Sequence, residues 1–191
     1  MSEHMHVKII SFVGLAGAGK TTATDYMTAK NIPKVSFGDI IRQSMERASI
    51  ETTEVNERSF ITHLLSQGHA QFIEQCTLPH FRRLIEAGQR RIVTDGSSSL
   101  EEYRALMAAF PGSVTTVAIV APKHLRYGRV EKRPDHPLTR AEAIARDIAE
   151  AEREDKAAPI ALADHYLIND GTKDALYDKL DKLVVELGFT R

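Results

Sequence analysis

Eight residues, Gly14-Leu15-Ala16-Gly17-Ala18-Gly19-Lys20-Thr21, constrain this chain more than any other stretch. They fit the pattern G-x-x-x-x-G-K-[ST]. The apolar, β-branched run Val7 to Val13 precedes them, and a helical pattern from about Lys20 to Lys30 follows. Glycine at 14, 17 and 19 allows left-handed backbone angles that turn successive N–H groups inward. With a helix N-terminus behind them, those groups form a nest for an anion. Gly14, Ala16, Gly17, Ala18 and Gly19 are therefore expected to cradle the phosphates of a nucleoside triphosphate. Lys20 is expected to bridge the β- and γ-phosphates, Thr21 to ligate magnesium, and Thr22 to reach the α-phosphate.

The remaining pattern supplies a frame for such a loop. Lys34 to Phe37, Arg91 to Thr94, Val114 to Val120 and His165 to Ile168 read as further short strands. Between them lie helical stretches. One is opened by Gly38 with Asp39 as N-cap, and a long block runs from Thr52 to Ala87, broken at Gly68 and Pro79. Ser99 to Glu102 is a capping box for a helix reaching about Phe110, and Thr139 with Glu142 is another for a helix reaching about Lys156. A last helix, about Lys173 to Leu187, carries Leu176, Leu180, Leu183 and Leu187 on one face. Short apolar strands alternating with helices predict an α/β domain, with about five parallel strands covered on both faces. Ligands bind in such sheets beyond the carboxyl ends of the strands.

Other candidates stand at such ends. Asp95 follows an apolar strand, where a carboxylate can hold magnesium or accept a hydroxyl proton; as Asp-Gly it also reads as a turn. Asp39 and Arg42 lie at a strand end running into a helix. The arginine can fork onto an acceptor phosphate or simply lie on an amphipathic surface. From Lys123 to Arg140 the chain is locally basic, with Arg126, Arg129 and Arg133 at spacings that share one helix face, and Pro134 stopping that helix. A hinged cationic segment suits a triphosphate, on which charge spreads during transfer. Arg146 either reaches the phosphates from the helix after Thr139 or pairs with Glu150 at i, i+4.

Composition removes several other classes. A net charge of −1 gives no overall nucleic-acid footprint, and a single cysteine, Cys76, forms no disulfide framework and fits a reducing, cytoplasmic setting. No apolar run approaches the ~18–20 residues of a spanning helix, and Met1 to His6 lacks the pattern of a signal peptide. His4 and His6 read as an exposed leader or a weak metal site.

Together these residues resemble the nucleotide-kinase branch of P-loop proteins, the adenylate-kinase-like and dephospho-CoA-kinase-like enzymes. They are most similar to a largely uncharacterised, mainly archaeal group related to both. Val35 to Arg42 resembles an acceptor-site segment, and the resemblance implies that Arg42 holds the acceptor's phosphate. Ile92 to Gly96 resembles a second acidic strand end, and Arg126 and Arg129 fall at the places of lid arginines. Arg146-Asp147 and Ala163 to Gly171 resemble the closing portion of dephospho-CoA kinases, which implies that Asn169 and Gly171 border the adenine of ATP. The implied fold is a three-layer α/β/α P-loop NTPase fold of the nucleoside-monophosphate-kinase type, strand order 2-3-1-4-5. It would be one domain over 1–191, with a helical acceptor region at about 38–88 and a short basic lid at about 123–140.

The implied cofactors are ATP and magnesium. The implied reaction is phosphoryl transfer to a small nucleotide-type acceptor, a nucleoside monophosphate first and dephospho-CoA as its rival. Lys20, Asp95, Arg126 and Arg129 would serve catalysis, Thr21 and Asp95 the metal, and Asp39, Arg42 and Arg146 the acceptor. Where adenylate kinases carry an arginine after the Asp-Gly, this chain has Ser97, Ser98 and Ser99, which removes one phosphate clamp. An ATP-driven switch or ATPase without a small acceptor is the rival from another class, and a kinase of nucleic-acid ends is a third option.

Overall fold

The computed structural model describes residues 7–67, 72–95, 99–134, 137–152 and 155–189. Its centre is a five-stranded parallel sheet in the order β2-β3-β1-β4-β5: β1 Lys8–Val13, β2 Lys34–Val35, β3 Arg91–Thr94, β4 Val114–Val120 and β5 His165–Ile168. This is the order that the resemblance implies. The first strand in sequence is central, with Ser11 in register with Thr94 on β3 and with Thr116 on β4. The loops after β1 and β3 therefore open side by side at the carboxyl edge.

Alternation along the strands divides the core into two layers. Ile10, Phe12, Val93, Val117 and Ile119 face α1 (Lys20–Ala29) and α9 (Lys173–Glu186). They meet Ala23 and Met27 on the first helix and Leu176, Leu180 and Leu183 on the second. Ile9, Val35 and Ile92 face the other way, onto Ile40 of α2 (Phe37–Arg47), Phe81 of α4 (Leu78–Glu86) and Leu106 of α5 (Leu100–Ala109). α3 (Glu54–Gln67) packs beside α2. A smaller cluster joins Ala16 of the glycine-rich loop to Tyr127 and Val130 of α6 (Lys123–Glu131) and Ala143 of α7 (Arg140–Glu152).

Local chemistry set several boundaries differently from expectation. The second strand ends at Val35 because Ser36 leaves it to become the helix N-cap, its hydroxyl accepting from the Asp39 N–H at 3.3 Å. Phe37 is thus the first residue of α2, and Asp39 lies inside the first turn. The long helical block is indeed divided: Pro79 stands in the first turn of α4, directly after a π-helical turn, Ile73–Thr77. Gly68 lies outside the described residues. Both helix caps form, the second of them as a complete box. The Glu102 N–H meets Ser99 Oγ, and Thr139 and Glu142 bond each other reciprocally. The helix after Thr139 is described over Arg140–Glu152 and has ended by Asp155, which is left-handed at φ 50°; a short helix not expected from the pattern, α8 Ala157–Ala161, follows. Likewise α6 ends at Glu131, before Arg133 and Pro134, so Arg133 does not share the helix face of Arg126 and Arg129. Among the described residues, no helix is long and apolar enough to cross a membrane.

Candidate active site

The glycine-rich loop leaves β1 and enters α1 through a left-handed Gly19, the helix N-cap, at φ 111°. Gly17 is also left-handed, at φ 77°, and a Cβ there would press within 2.6 Å of the Arg126 carbonyl. A Cβ on Gly19 would collide with the Asn169 side chain. Only glycine therefore lets α6 and the turn after β5 close onto the loop.

Lys20, the first residue of α1, folds its ammonium back over the loop. Nζ donates to Gly14 O at 2.6 Å and to Leu15 O at 3.3 Å. Burial lowers its pKa from 10.5 to about 8. Lys156 and Arg146 add to that effect, while Glu150 and Asp95 oppose it. Thr21 and Thr22 line the same cleft, about 870 Å³, whose far wall carries Arg129, Arg133, Asn169 and Gly171. Asn169 donates through Nδ2 to Ala18 O at 2.8 Å. Arg129 donates to Asn169 O at 3.1 Å and to Gly17 O and Gly171 O at 3.4 Å each. The turn after β5 is thereby tied to the glycine-rich loop.

Asp95, directly after β3 at its carboxyl end, is half-buried. Its Oδ2 accepts from Ser36 Oγ at 2.8 Å and its Oδ1 from the Phe37 N–H at 3.2 Å. Burial raises its pKa; these two bonds and Lys34 pull the other way without cancelling the rise. Asp95 is thus a fixed carboxylate with more basicity than an exposed one. Gly96, Ser97 and Ser98, which follow it, lie outside the described residues, as do His4 and His6.

The arginines divide by what they touch. Arg126 is only 6% exposed; it forks onto Asp147 at 2.7 and 2.7 Å and donates to Ala16 O at 3.1 Å. It braces the loop from outside, whereas Arg129, one turn on, borders the cleft. Arg42 pairs with Asp39 and lies 3.9 Å from Glu57, so its charge is already met by carboxylates. Arg146 bonds Glu150 Oε1 at 3.2 Å, and Lys156 bonds the same oxygen at 3.0 Å.

Glu150 is the residue that sequence reasoning placed least well. It forms the expected pair with Arg146, yet its other oxygen accepts from the Ala16 N–H at 3.0 Å. Burial alone would raise its pKa, but Lys156, Lys20 and Arg146 outweigh burial and hold it at about 2, against an ordinary 4.5. Its stabilising effect is complete above pH 4.5 and is lost as the pH falls toward 2. Ser36 and Lys156 were also missed as site residues. The contact from Glu150 to Ala16 spans 134 positions and has no local signature.

The arrangement fits a triphosphate and a magnesium ion. The loop offers left-handed Gly17 and Gly19 and a helix N-terminus; the N–H groups of Ala16 and Ala18, expected to face phosphate, are instead bonded to Glu150 Oε2 and Leu15 O, and Lys20 stands over the loop with carbonyl contacts that an anion would replace. Among the described residues there is no cluster of three or more His, Cys, Asp or Glu side chains suited to a metal. Magnesium needs no such cage, since one or two protein oxygens with phosphate and water suffice. Thr21 and Asp95 are the oxygens at hand.

Comparison with known proteins agrees with the fold. A family model described as an AAA domain matches residues 9–155. A UPF0200 protein of Thermococcus gammatolerans is 32% identical over 181 residues, which cover 93% of this chain and 94% of the relative. The crystal structure of TT1252 from Thermus thermophilus superposes with a TM-score of 0.62 at 20% identity, covering 95% of this chain and 98% of that one. A dephospho-CoA kinase from Campylobacter jejuni gives 0.58 at 14% identity, covering 94% and 96%. At such identities the structural neighbours establish a P-loop kinase-like fold and nothing finer. By sequence, the chain belongs to the UPF0200 family, within the AAA-domain P-loop proteins.

Proposed function

We propose that the chain is an ATP- and magnesium-dependent phosphotransferase acting on a small nucleotide-type acceptor. The observation that carries this reading is the pairing of two strand ends. The loop after β1 leads into Lys20, and Asp95 follows β3 near enough for its charge to act on the Lys20 ammonium. A donor phosphate on the loop and an acceptor beside Asp95 would meet between them. Magnesium bound to the phosphates would neutralise charge that develops in transfer. Lys20 and the loop N–H groups bind and orient the donor, Arg129 and Asn169 close its far end, and Asp95 orients the acceptor. Arg126 acts at a distance, by bracing Ala16.

A nucleoside monophosphate is the acceptor that the sequence resemblance favours, with its phosphate at Arg42. One observation favours the second reading, a hydroxyl acceptor of the dephospho-CoA type. Arg42 is balanced by Asp39 and Glu57, whereas Asp95 is a half-buried carboxylate of raised basicity. A phosphate acceptor needs the free cation; a hydroxyl acceptor needs the base. Coupled ADP release from MgATP, measured across nucleoside monophosphates, dephospho-CoA and short oligonucleotides, tests both. One class of small acceptor should raise turnover at least about tenfold above the water background, a difference of about 1.4 kcal/mol in barrier. Binding of MgATP with no stimulation by any acceptor would overturn the proposal in favour of a switch or ATPase.

The lowered pKa of Lys20 gives a second expectation. The bound phosphates require the ammonium form, and in the free protein that form is lost as the pH rises through about 8. Affinity for MgATP should therefore be level below pH 8. Above it, affinity should fall by up to about tenfold per pH unit, with one proton taken up on binding. Calorimetric titrations in buffers of different ionisation enthalpy measure both quantities. An affinity constant from pH 7 to about pH 9.5, with no proton uptake, would be inconsistent with this role for Lys20.

A further inference from the structure

One residue at the apex of the glycine-rich loop is gripped on both its backbone groups. Ala16 donates its N–H to Glu150 Oε2 at 3.0 Å, and its carbonyl accepts from Arg126 Nη1 at 3.1 Å. Arg126 in turn is forked onto Asp147. Asp147 and Glu150 are one turn apart on α7, so a single helix face sets the position of the loop apex.

Glu150 does more than anchor. It is 2% exposed, and its Oε1 accepts from Arg146 Nε at 3.2 Å and Lys156 Nζ at 3.0 Å. Its charge is felt by five cations: Lys20 on α1, Arg126 on α6, Arg133 beyond it, Arg146 on α7, and Lys156 ahead of α8. A buried carboxylate needs only one or two good partners to be accommodated. Here it stands where cations converge beside an anion-binding loop, too deep for a substrate to touch. Such a group acts through what it holds.

We propose that Glu150 is a positioning residue for phosphoryl transfer: it sets the loop apex through the Ala16 N–H and holds Arg146 and Lys156 beside the Lys20 ammonium, where the transferred group arrives. This role rests on the reading of the loop as a MgATP site. It also gives α7 a task distinct from a mobile lid, because its inner face is joined to the loop while Arg129 and the segment after α6 border the open side of the cleft.

Glu150→Gln tests it. Glutamine keeps the shape and an oxygen for the Ala16 N–H, but loses the charge that holds the two cations. MgATP affinity at pH 7 should stay within about threefold of wild type, while turnover of MgATP, to an acceptor or to water, falls on the order of 10²-fold. A merely structural loss would weaken binding and turnover together, so the split between them is the reading to look for. A folded Glu150→Gln protein with wild-type turnover would overturn the proposal. If that variant does not fold, Lys156→Gln serves, since it leaves the Ala16 contacts and the Arg126–Asp147 fork intact. Arg146 remains to pair with Glu150, so the variant should stay folded while its turnover falls at least about tenfold; a folded variant with unchanged turnover would overturn the proposal. Wild-type protein that binds no MgATP at any pH would instead remove the phosphotransferase reading on which this one stands.

Discussion

Lys20→Ala should abolish phosphoryl transfer while leaving the protein folded. In the free protein the ammonium is crowded by burial, and its contacts are the carbonyls of Gly14 and Leu15. A group whose charged form is disfavoured by the fold contributes little to holding it, so thermal unfolding should shift by no more than a few degrees. Transfer is different. Charge on the moving phosphoryl group is stabilised only by donors already aimed at it, and removal of one such donor costs on the order of 10³-fold in rate. The loop N–H groups and their glycine angles remain in the variant, so MgATP should still bind, more weakly. Coupled ADP release with parallel thermal melts gives the result directly. Turnover near the wild-type rate would end the assignment of this loop as the site of transfer.

Asp95→Asn should be nearly as damaging, and its size distinguishes the acceptors. Asparagine preserves the volume and can still accept from Phe37 or Ser36, so the local packing is kept. If the acceptor is a hydroxyl, the lost carboxylate is the group that takes its proton, and the rate should fall by about 10²–10⁴-fold. If the acceptor is a phosphate oxygen, already anionic, no proton need be removed. Only metal positioning suffers then, with a loss nearer tenfold. The pH profile adds a check. Asp95 must be ionised to act, and its pKa is raised, so wild-type turnover should fall on acidification at a higher pH than for an ordinary aspartate. In the variant that acidic limb should be gone. A variant that keeps both wild-type turnover and the limb would free Asp95 of any part in the reaction.

Much of this architecture was legible because it is written locally. The Gly14–Thr21 spacing, the apolar strands and the two capping boxes each depend on residues within a few positions of one another. The structure reproduces them down to the reciprocal bonds of Thr139 and Glu142. Lys34 to Phe37 was misjudged at its end because a β-prone run and a serine cap compete there, and the cap wins once Asp39 can donate to Ser36. Arg126 and Arg129 have equal claims by spacing, yet packing sends the first to Asp147 under the loop and leaves the second at the cleft. Glu150 shows the limit most plainly. Its helical pairing with Arg146 follows from i, i+4 geometry, while its bond to Ala16 exists only once β1, β4 and the helix after Thr139 are assembled.

The central place of the first strand also governs how the molecule is made. β1 pairs with β3 and β4 and with nothing nearer in sequence. As the chain emerges during synthesis at about 5–20 residues per second, β1 must wait several seconds before Arg91–Thr94 is available, and longer for Val114–Val120. Throughout that interval Ile9, Ile10 and Phe12, fully buried in the finished protein, have no sheet to enter. The strand that delivers the glycine-rich loop is thus made well before either of the strands that pair with it.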